Sequence, residues 1–134
     1  MKLSIVQPQF IDFAWRDGAS CLAEALEGFS EITGDQLKMI LSRGERTLVR
    51  LDDDDKIAGW GVFKIDQLPN IRVLHITGLV SHNNLFQQFF DEIKVIARAF
   101  GASEIRCSCK PAQARLFKRT NDFEEVYTTL RVCL

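Results

Sequence analysis

The stretch from Ile71 to Gly101, IRVLHITGLVSHNNLFQQFFDEIKVIARAFG, leaves this chain few folds to choose from. Ile71 to Val80 is apolar on both faces apart from His75 and Thr77, the pattern of a strand inside a sheet rather than at its edge. Alternation puts His75 and Thr77 on one face with Val73 and Leu79. Ser81 to Asn84 is a polar turn, and Asn84 with Gln87 three residues on has the form of a capping box. Phe86, Phe89, Phe90, Ile93, Ala97 and Phe100 then recur at helical spacing until Gly101 ends the helix. A central strand that enters a long helix through a short turn belongs to an α/β layer. Such a turn also suits anions, because the first N–H groups of a helix have no intrahelical partner.

The flanking segments extend this frame. Leu3 to Val6 reads as a strand ended by Pro8. Asp12 is placed to cap a helix whose stripe is Trp15, Ala19, Leu22, Leu26 and Phe29. Gly18 weakens that helix by about 1 kcal/mol relative to Ala, and Gly28 ends it. Asp35 is placed to cap a shorter helix carrying Leu37, Ile40 and Leu41, closed by Gly44. Thr47–Leu51 and Lys56–Ile65 form an antiparallel hairpin across Asp52–Asp55, and Leu68-Pro69-Asn70 turns the chain into the central strand. Ile105, Cys107 and Cys109 share one face of a further strand. Pro111 opens a short helix through Arg119. Phe123 to Val132 alternates at Val126, Thr128, Leu130 and Val132 and reads as a last strand. No linker or repeat interrupts the 134 residues, so residues 1–134 read as one domain.

Composition narrows the function classes. The chain is 46% hydrophobic and 26% charged with a net charge of -1, so no global field draws it to nucleic acid or a membrane surface. Acids dominate from Asp12 to Asp35. Bases (Lys94, Arg98, Arg106, Lys110, Arg115, Lys118 and Arg119) dominate from Lys94 to Arg119, giving opposed faces suited to protein partners or self-assembly. That basic region lacks exposed aromatic interleaving, which argues against single-stranded nucleic acid. The run Asp52–Asp55 lacks the alternation and glycine of a calcium loop and reads as a solvated tip. The four cysteines form no paired CxxC set and read as free structural thiols, Cys107 and Cys109 as small buried hydrophobes, with no metal expected. No signal peptide and no stretch of transmembrane length is seen, which points to a reducing, cytoplasmic setting.

The order strand, helix, helix, three strands, long helix, strand, short helix, strand resembles the GNAT superfamily of acyl-CoA-dependent N-acyltransferases. Ala97 to Ile105 looks like the A-x-x-x-G ending of that family's third helix. Ala112 to Phe123, with Leu116, Phe117 and Asp122-Phe123-Glu124, looks like its late A-x-x-L-Y-x-x-x-G-F segment. Ile57-Ala58-Gly59-Trp60-Gly61 resembles its third strand. The resemblance implies an α/β (α+β) domain with a mixed, largely antiparallel sheet of six or seven strands flanked by about four helices.

It also implies a site. Acetyl-CoA would be held through Leu79, Val80, Ser81, His82, Asn83 and Asn84, with Arg115 or Lys118 (or Arg119) reaching a phosphate. A backbone N–H near Leu79 would stabilise the oxyanion. His75 is the candidate internal base, and Tyr127 a further proton donor. The sequence departs from the family in three places. The family's Q/R-x-x-G-x-G/A turn is replaced by Leu79-Val80-Ser81-His82-Asn83-Asn84, its late Tyr falls on Phe117, and the Gly before its late Phe is replaced by Asn121-Asp122, one residue longer than the common pattern. Together with Trp15 and Arg72, these departures resemble small GNAT-like proteins of tailed phages. Two readings follow: an N-acyltransferase using acyl-CoA, or a catalytically inactive GNAT-fold virion or assembly protein, located in host cytoplasm or virion.

Overall fold

A computed structural model describes residues 1–25, 31–82 and 85–134. Five strands lie in the order of the chain: β1 (Lys2–Val6), β2 (Thr47–Asp53), β3 (Lys56–Gln67), β4 (Arg72–Ser81) and β5 (Glu104–Cys107). β1 to β4 pair antiparallel and β5 joins β4 in parallel, so the expected mixed, largely antiparallel sheet is present. The β2–β3 hairpin turns at Asp54 and Asp55, both with positive φ (50° and 63°). Asp is among the few side chains that tolerate this region.

Helices cover both faces. On one side α1 (Ile11–Ala14), α2 (Cys21–Ala25) and α3 (Gly34–Ser42) bury Ile11, Ala14, Ala19, Leu22, Leu37 and Leu41 against Leu48, Trp60 and Val62. On the other, α4 (Phe86–Ala99) and α5 (Pro111–Thr120) bury Phe89, Phe90, Ile93, Ala97 and Phe117 against Phe63, Leu74 and Ile76. Phe90, Phe117 and Phe123 meet at 4.9–6.0 Å between ring centroids, and Phe86 stacks edge-on to Phe117 at 5.6 Å. Fully burying each such ring contributes about 1.5–3 kcal/mol. Arg72 ties the start of β4 to the end of α4, donating from Nε to the Phe100 carbonyl at 2.7 Å. This places a cation on the carbonyl end of the helix dipole. Among the described residues no helix is long and apolar enough to cross a membrane.

Several local expectations need correction. The first helix is not continuous: it passes through a π-type turn at Trp15–Ala19 and kinks at Gly18, whose φ of 123° favours glycine. Leu26, Gly28 and Phe29 lie outside the described residues. Asp12 does not cap α1 but pairs with Lys38 on α3 at 2.9 Å. The cap of α3 is Thr33, in a reciprocal capping box with Gln36, rather than Asp35. Asn84, the expected cap of α4, is outside the described residues, and the helix begins after Leu85.

The sheet has five strands among the described residues instead of six or seven, and the flanking helices number five instead of about four. Phe123–Val132 forms no ladder. Phe123 packs on Phe90, but Val126, Tyr127, Leu130 and Val132 are 60–88% exposed. The segment has strand alternation but pairs with no strand among the described residues. β5 is only four residues long, and a depression of about 290 Å³ lies beside it, between α4 and Asn121–Phe123.

Candidate active-site cleft

The centre of the molecule is shaped by one extra residue. β3 and β4 pair in register from Gln67↔Arg72 to Phe63↔Ile76, but the next pair is Val62↔Gly78. Thr77 is therefore the extra residue of a β-bulge in β4. A bulge bends its strand and sharpens the twist. It sits where β4 and β5 separate: their last paired residues are Ile76 and Cys107. A single longer bond follows, from Ser108 N–H to the Ile76 carbonyl at 3.4 Å.

The bulge also corrects the expected facing of side chains. Residues directly opposite on neighbouring strands share a face. His75 pairs with Lys64, and Gly78 with Val62, so His75 shares its face with Gly78 and Val80. Leu79 packs with the α4 cluster on the other face. The extra residue breaks the alternation that would have put His75 beside Thr77 and Leu79.

Beyond the bulge, backbone polarity follows from one bond. His82 N–H donates to the Ala58 carbonyl of β3 at 2.8 Å. Backbone groups alternate sides along a strand, so Val80 also faces β3 while the N–H groups of Leu79 and Ser81 point the opposite way. That is the side from which β5 has departed.

The opening between the strands is a cleft of about 40 Å³. Its walls are Ile76–Leu79 of β4, Cys107–Cys109 at and beyond the end of β5, Gln113 and Phe117 of α5, and Ala25 of α2. Ser108, one residue past β5, lines the cleft and joins a polar chain with His75 of β4 and Asp66 of β3. His75 Nε2 lies 2.7 Å from Ser108 Oγ, and His75 Nδ1 lies 3.4 Å from Asp66 Oδ2 on β3. An ionised carboxylate only accepts, so the imidazole proton belongs on Nδ1, and Nε2 accepts from the Ser108 hydroxyl. Burial holds the imidazole below its ordinary value of 6.5, and the Asp66 carboxylate opposes this in part. Neutral His75 is thus a proton acceptor reached through Ser108.

Two thiols share the cleft. Cys107 Sγ donates to the Ser108 carbonyl at 4.0 Å, and the neighbouring Cys109 sulfur and burial push its thiol up. Cys109 is shifted downward by the neighbouring Cys107 and, to a lesser degree, by Lys118 of α5.

The sequence-derived site residues divide accordingly. Leu79, Val80 and Ser81 end β4, where Leu79 lines the cleft and Val80 packs on the α1–α3 cluster, and His82 is exposed in the turn that follows. Asn83 and Asn84 are outside the described residues. Arg115 and Lys118 are exposed on α5, where Lys118 pairs with Glu125 at 2.8 Å. Tyr127 is 70% exposed on the extended C-terminal segment and is not among the residues lining the cleft. Sequence reasoning missed Asp66 and Ser108, which stand 9 and 33 residues from His75. It also missed the bulge, although Gly78 isolated in an apolar strand is a bulge signal.

No protein-family model matches the chain, and no curated protein matches it in sequence. Solved structures do match its fold, and several of them are named acetyltransferases. A ribosomal-protein-alanine N-acetyltransferase from Brucella melitensis biovar Abortus 2308 superposes with a TM-score of 0.73 at 12% identity, covering 100% of both chains. An aminoglycoside acetyltransferase from an uncultured soil metagenomic sample gives 0.71 at 14%, covering 99% of this chain and 95% of the other. A glucosamine-6-phosphate N-acetyltransferase from Arabidopsis thaliana gives 0.65 at 14%, covering 98% and 97%. The chain therefore has the GNAT fold over its length.

Proposed function

We propose that the protein is an N-acyltransferase that moves an acyl group from acyl-CoA to an amine. The observation that carries this reading is the bulged β4 parting from β5, with the Leu79 and Ser81 N–H groups turned into the gap. Acyl-CoA supplies an activated thioester as substrate. The residues present suit it: strand N–H groups can bind an extended amide chain in the manner of an added strand. The Leu79 N–H is available to a carbonyl oxygen that gains negative charge. The first turn of α4, whose N-cap residue Leu85 makes no side-chain cap bond, and the exposed Arg115 and Lys118 suit phosphates. The Asp66–His75–Ser108 chain accepts the proton that an attacking amine must lose.

The three acceptors in the names above differ widely, so the fold alone does not assign the amine. Calorimetry with CoA checks the donor half of the proposal, with micromolar binding expected. Thiol release from acetyl-CoA in the presence of a panel of primary amines checks the acceptor half. A chain silent to millimolar CoA would overturn the reading.

A second reading, a GNAT scaffold without catalysis that serves in protein assembly, draws on Phe117. This ring is buried in the aromatic cluster where the family carries a phenol, so it has no proton to give. Absence of CoA binding, with a large particle or ring on native mass spectrometry, is the outcome that reading expects.

A further inference from the structure

We propose that Ser108 is a nucleophile: its Oγ takes the acyl group from acyl-CoA, and CoA leaves before an amine or water receives that group. The inference rests on the acyl-CoA reading above for its donor, and it adds a covalent step and a hydrolytic activity.

Three side chains carry it. A serine hydroxyl is a weak nucleophile unless a base takes its proton, and a third group must orient that base. Ser108 Oγ lies 2.7 Å from His75 Nε2, and His75 Nδ1 lies 3.4 Å from Asp66 Oδ2. This is the order hydroxyl, imidazole, carboxylate of a nucleophilic triad, which is recognised by geometry and recurs on unrelated folds. Exposure follows the same roles. Ser108 is exposed, where a substrate reaches it, while the His75 and Asp66 side chains keep 21% and 32% of their surface. Burial also keeps the imidazole unprotonated near pH 7, as a base must be.

The backbone sets this hydroxyl where a ligand belongs. Ser108 begins the link between the last residue of β5, Cys107, and the first of α5, Pro111. β4 and β5 run parallel, and ligands of parallel strands sit beyond their carboxyl ends, here the place where the two strands part. The bond from Ser108 N–H to the Ile76 carbonyl holds the serine backbone at that point. Ser108 and Leu79 line the same cleft, so the Leu79 N–H serves the carbonyl oxygen under attack.

The chemistry balances without an oxidant. In the first step His75 Nε2 takes the hydroxyl proton as Ser108 Oγ attacks the thioester carbonyl. A carbon–oxygen bond to Ser108 forms and the carbon–sulfur bond breaks. The electron pair stays on the CoA sulfur, which takes the proton from His75 and leaves as thiol. In the second step an amine nitrogen, or a water oxygen, attacks the Ser108 ester and gives a proton to His75. The bond to Oγ breaks, and Ser108 recovers its proton from His75. The product is an amide, or a carboxylic acid where no amine is present. Asp66 touches no reacting atom; it is a positioning residue for the imidazole.

The test mixes the full chain with acetyl-CoA in the absence of any amine and follows free thiol. A burst of at least one CoA per chain is expected, with the acetyl group mapping to Ser108 after an acid quench. A fluorophosphonate, which reacts with base-activated serines, labels the same residue. Ser108→Ala and His75→Gln lose burst and label, and the kcat of Ser108→Ala for amine acylation falls by about 100-fold or more. Asp66→Asn lowers kcat while KM stays, as loss of orientation and not of binding requires. Thiol release only when an amine is present, or a Ser108→Ala chain with wild-type kcat, overturns the serine step. CoA calorimetry separates the two failures. A wild-type chain that binds CoA but shows no burst sinks the serine step alone, whereas one that does not bind CoA sinks the acyltransferase reading and this step with it.

Discussion

His75 is the residue at which sequence and structure agree in part. Its place on the central strand is legible from the apolar run Ile71–Val80. Its chemistry is not, because Asp66 and Ser108 reach it only through strand pairing, 9 and 33 residues away in the chain. No local pattern records which side chains a sheet will set side by side. The ring is partly buried, and burial is the largest cause of its lowered pKa. An unfolded chain takes up the proton at about the ordinary 6.5, while the folded chain resists until a lower pH. The contribution to stability is therefore fully present above pH 6.5 and is lost as pH falls from there through the folded value. Urea midpoints at pH 7.5 and 5.5 should show a larger drop for the wild type than for His75→Gln. An NMR titration of the His75 ring should give a midpoint below 6.5, and a midpoint above it would contradict the assigned environment.

At the scale of elements, most strand boundaries were readable because turns and periodicity are local, whereas the caps expected at Asp12 and Asp35 were misplaced. The bulge in β4 was harder to see. It is a relation between two strands, and the only local hint was Gly78. The close approach that accompanies it is also invisible in one dimension: a Cβ on Gly59 would stand 2.6 Å from the Val80 carbonyl oxygen and 3.1 Å from Ser81 Cα. Gly59→Val should cost about 1–3 kcal/mol by overpacking, read as a lowered urea midpoint, and should weaken CoA binding through the displaced end of β4. Amide exchange tests the polarity of that strand end directly. Val80 and His82, facing β3, should exchange slowly in the free chain. Leu79 and Ser81 should exchange fast and become protected when CoA is added. Equal protection of all four without ligand would mean that the gap is already filled.

For the whole molecule, the two-sided packing explains why the helical stripes were a sound guide to the core. Among the described residues, Ala19, Leu22, Leu37, Leu41, Phe89, Phe90, Ile93 and Ala97 of those stripes are buried, while Phe100 at the end of α4 stays 39% exposed. The alternation at Val126, Thr128, Leu130 and Val132 is as regular as that of any strand in the chain, but pairing is decided by the available edge and not by the pattern. β5 offers only Glu104–Cys107, and the chain leaves α5 with its last core contact at Phe123, whose ring lies 4.9 Å from Phe90 and 6.0 Å from Phe117. The folded unit thus ends energetically at Phe123. Removing residues 126–134 keeps the Lys118–Glu125 pair and should shift stability by about 0.5 kcal/mol or less, as expected for exposed residues with no buried contact. Phe123→Ala, by contrast, should cost about 1–2 kcal/mol from lost contact of a partly buried ring. Urea denaturation of the two variants makes the comparison. A loss of several kcal/mol on removing 126–134 would mean that this segment pairs along β5 in solution, giving the sheet the sixth strand that its alternation calls for.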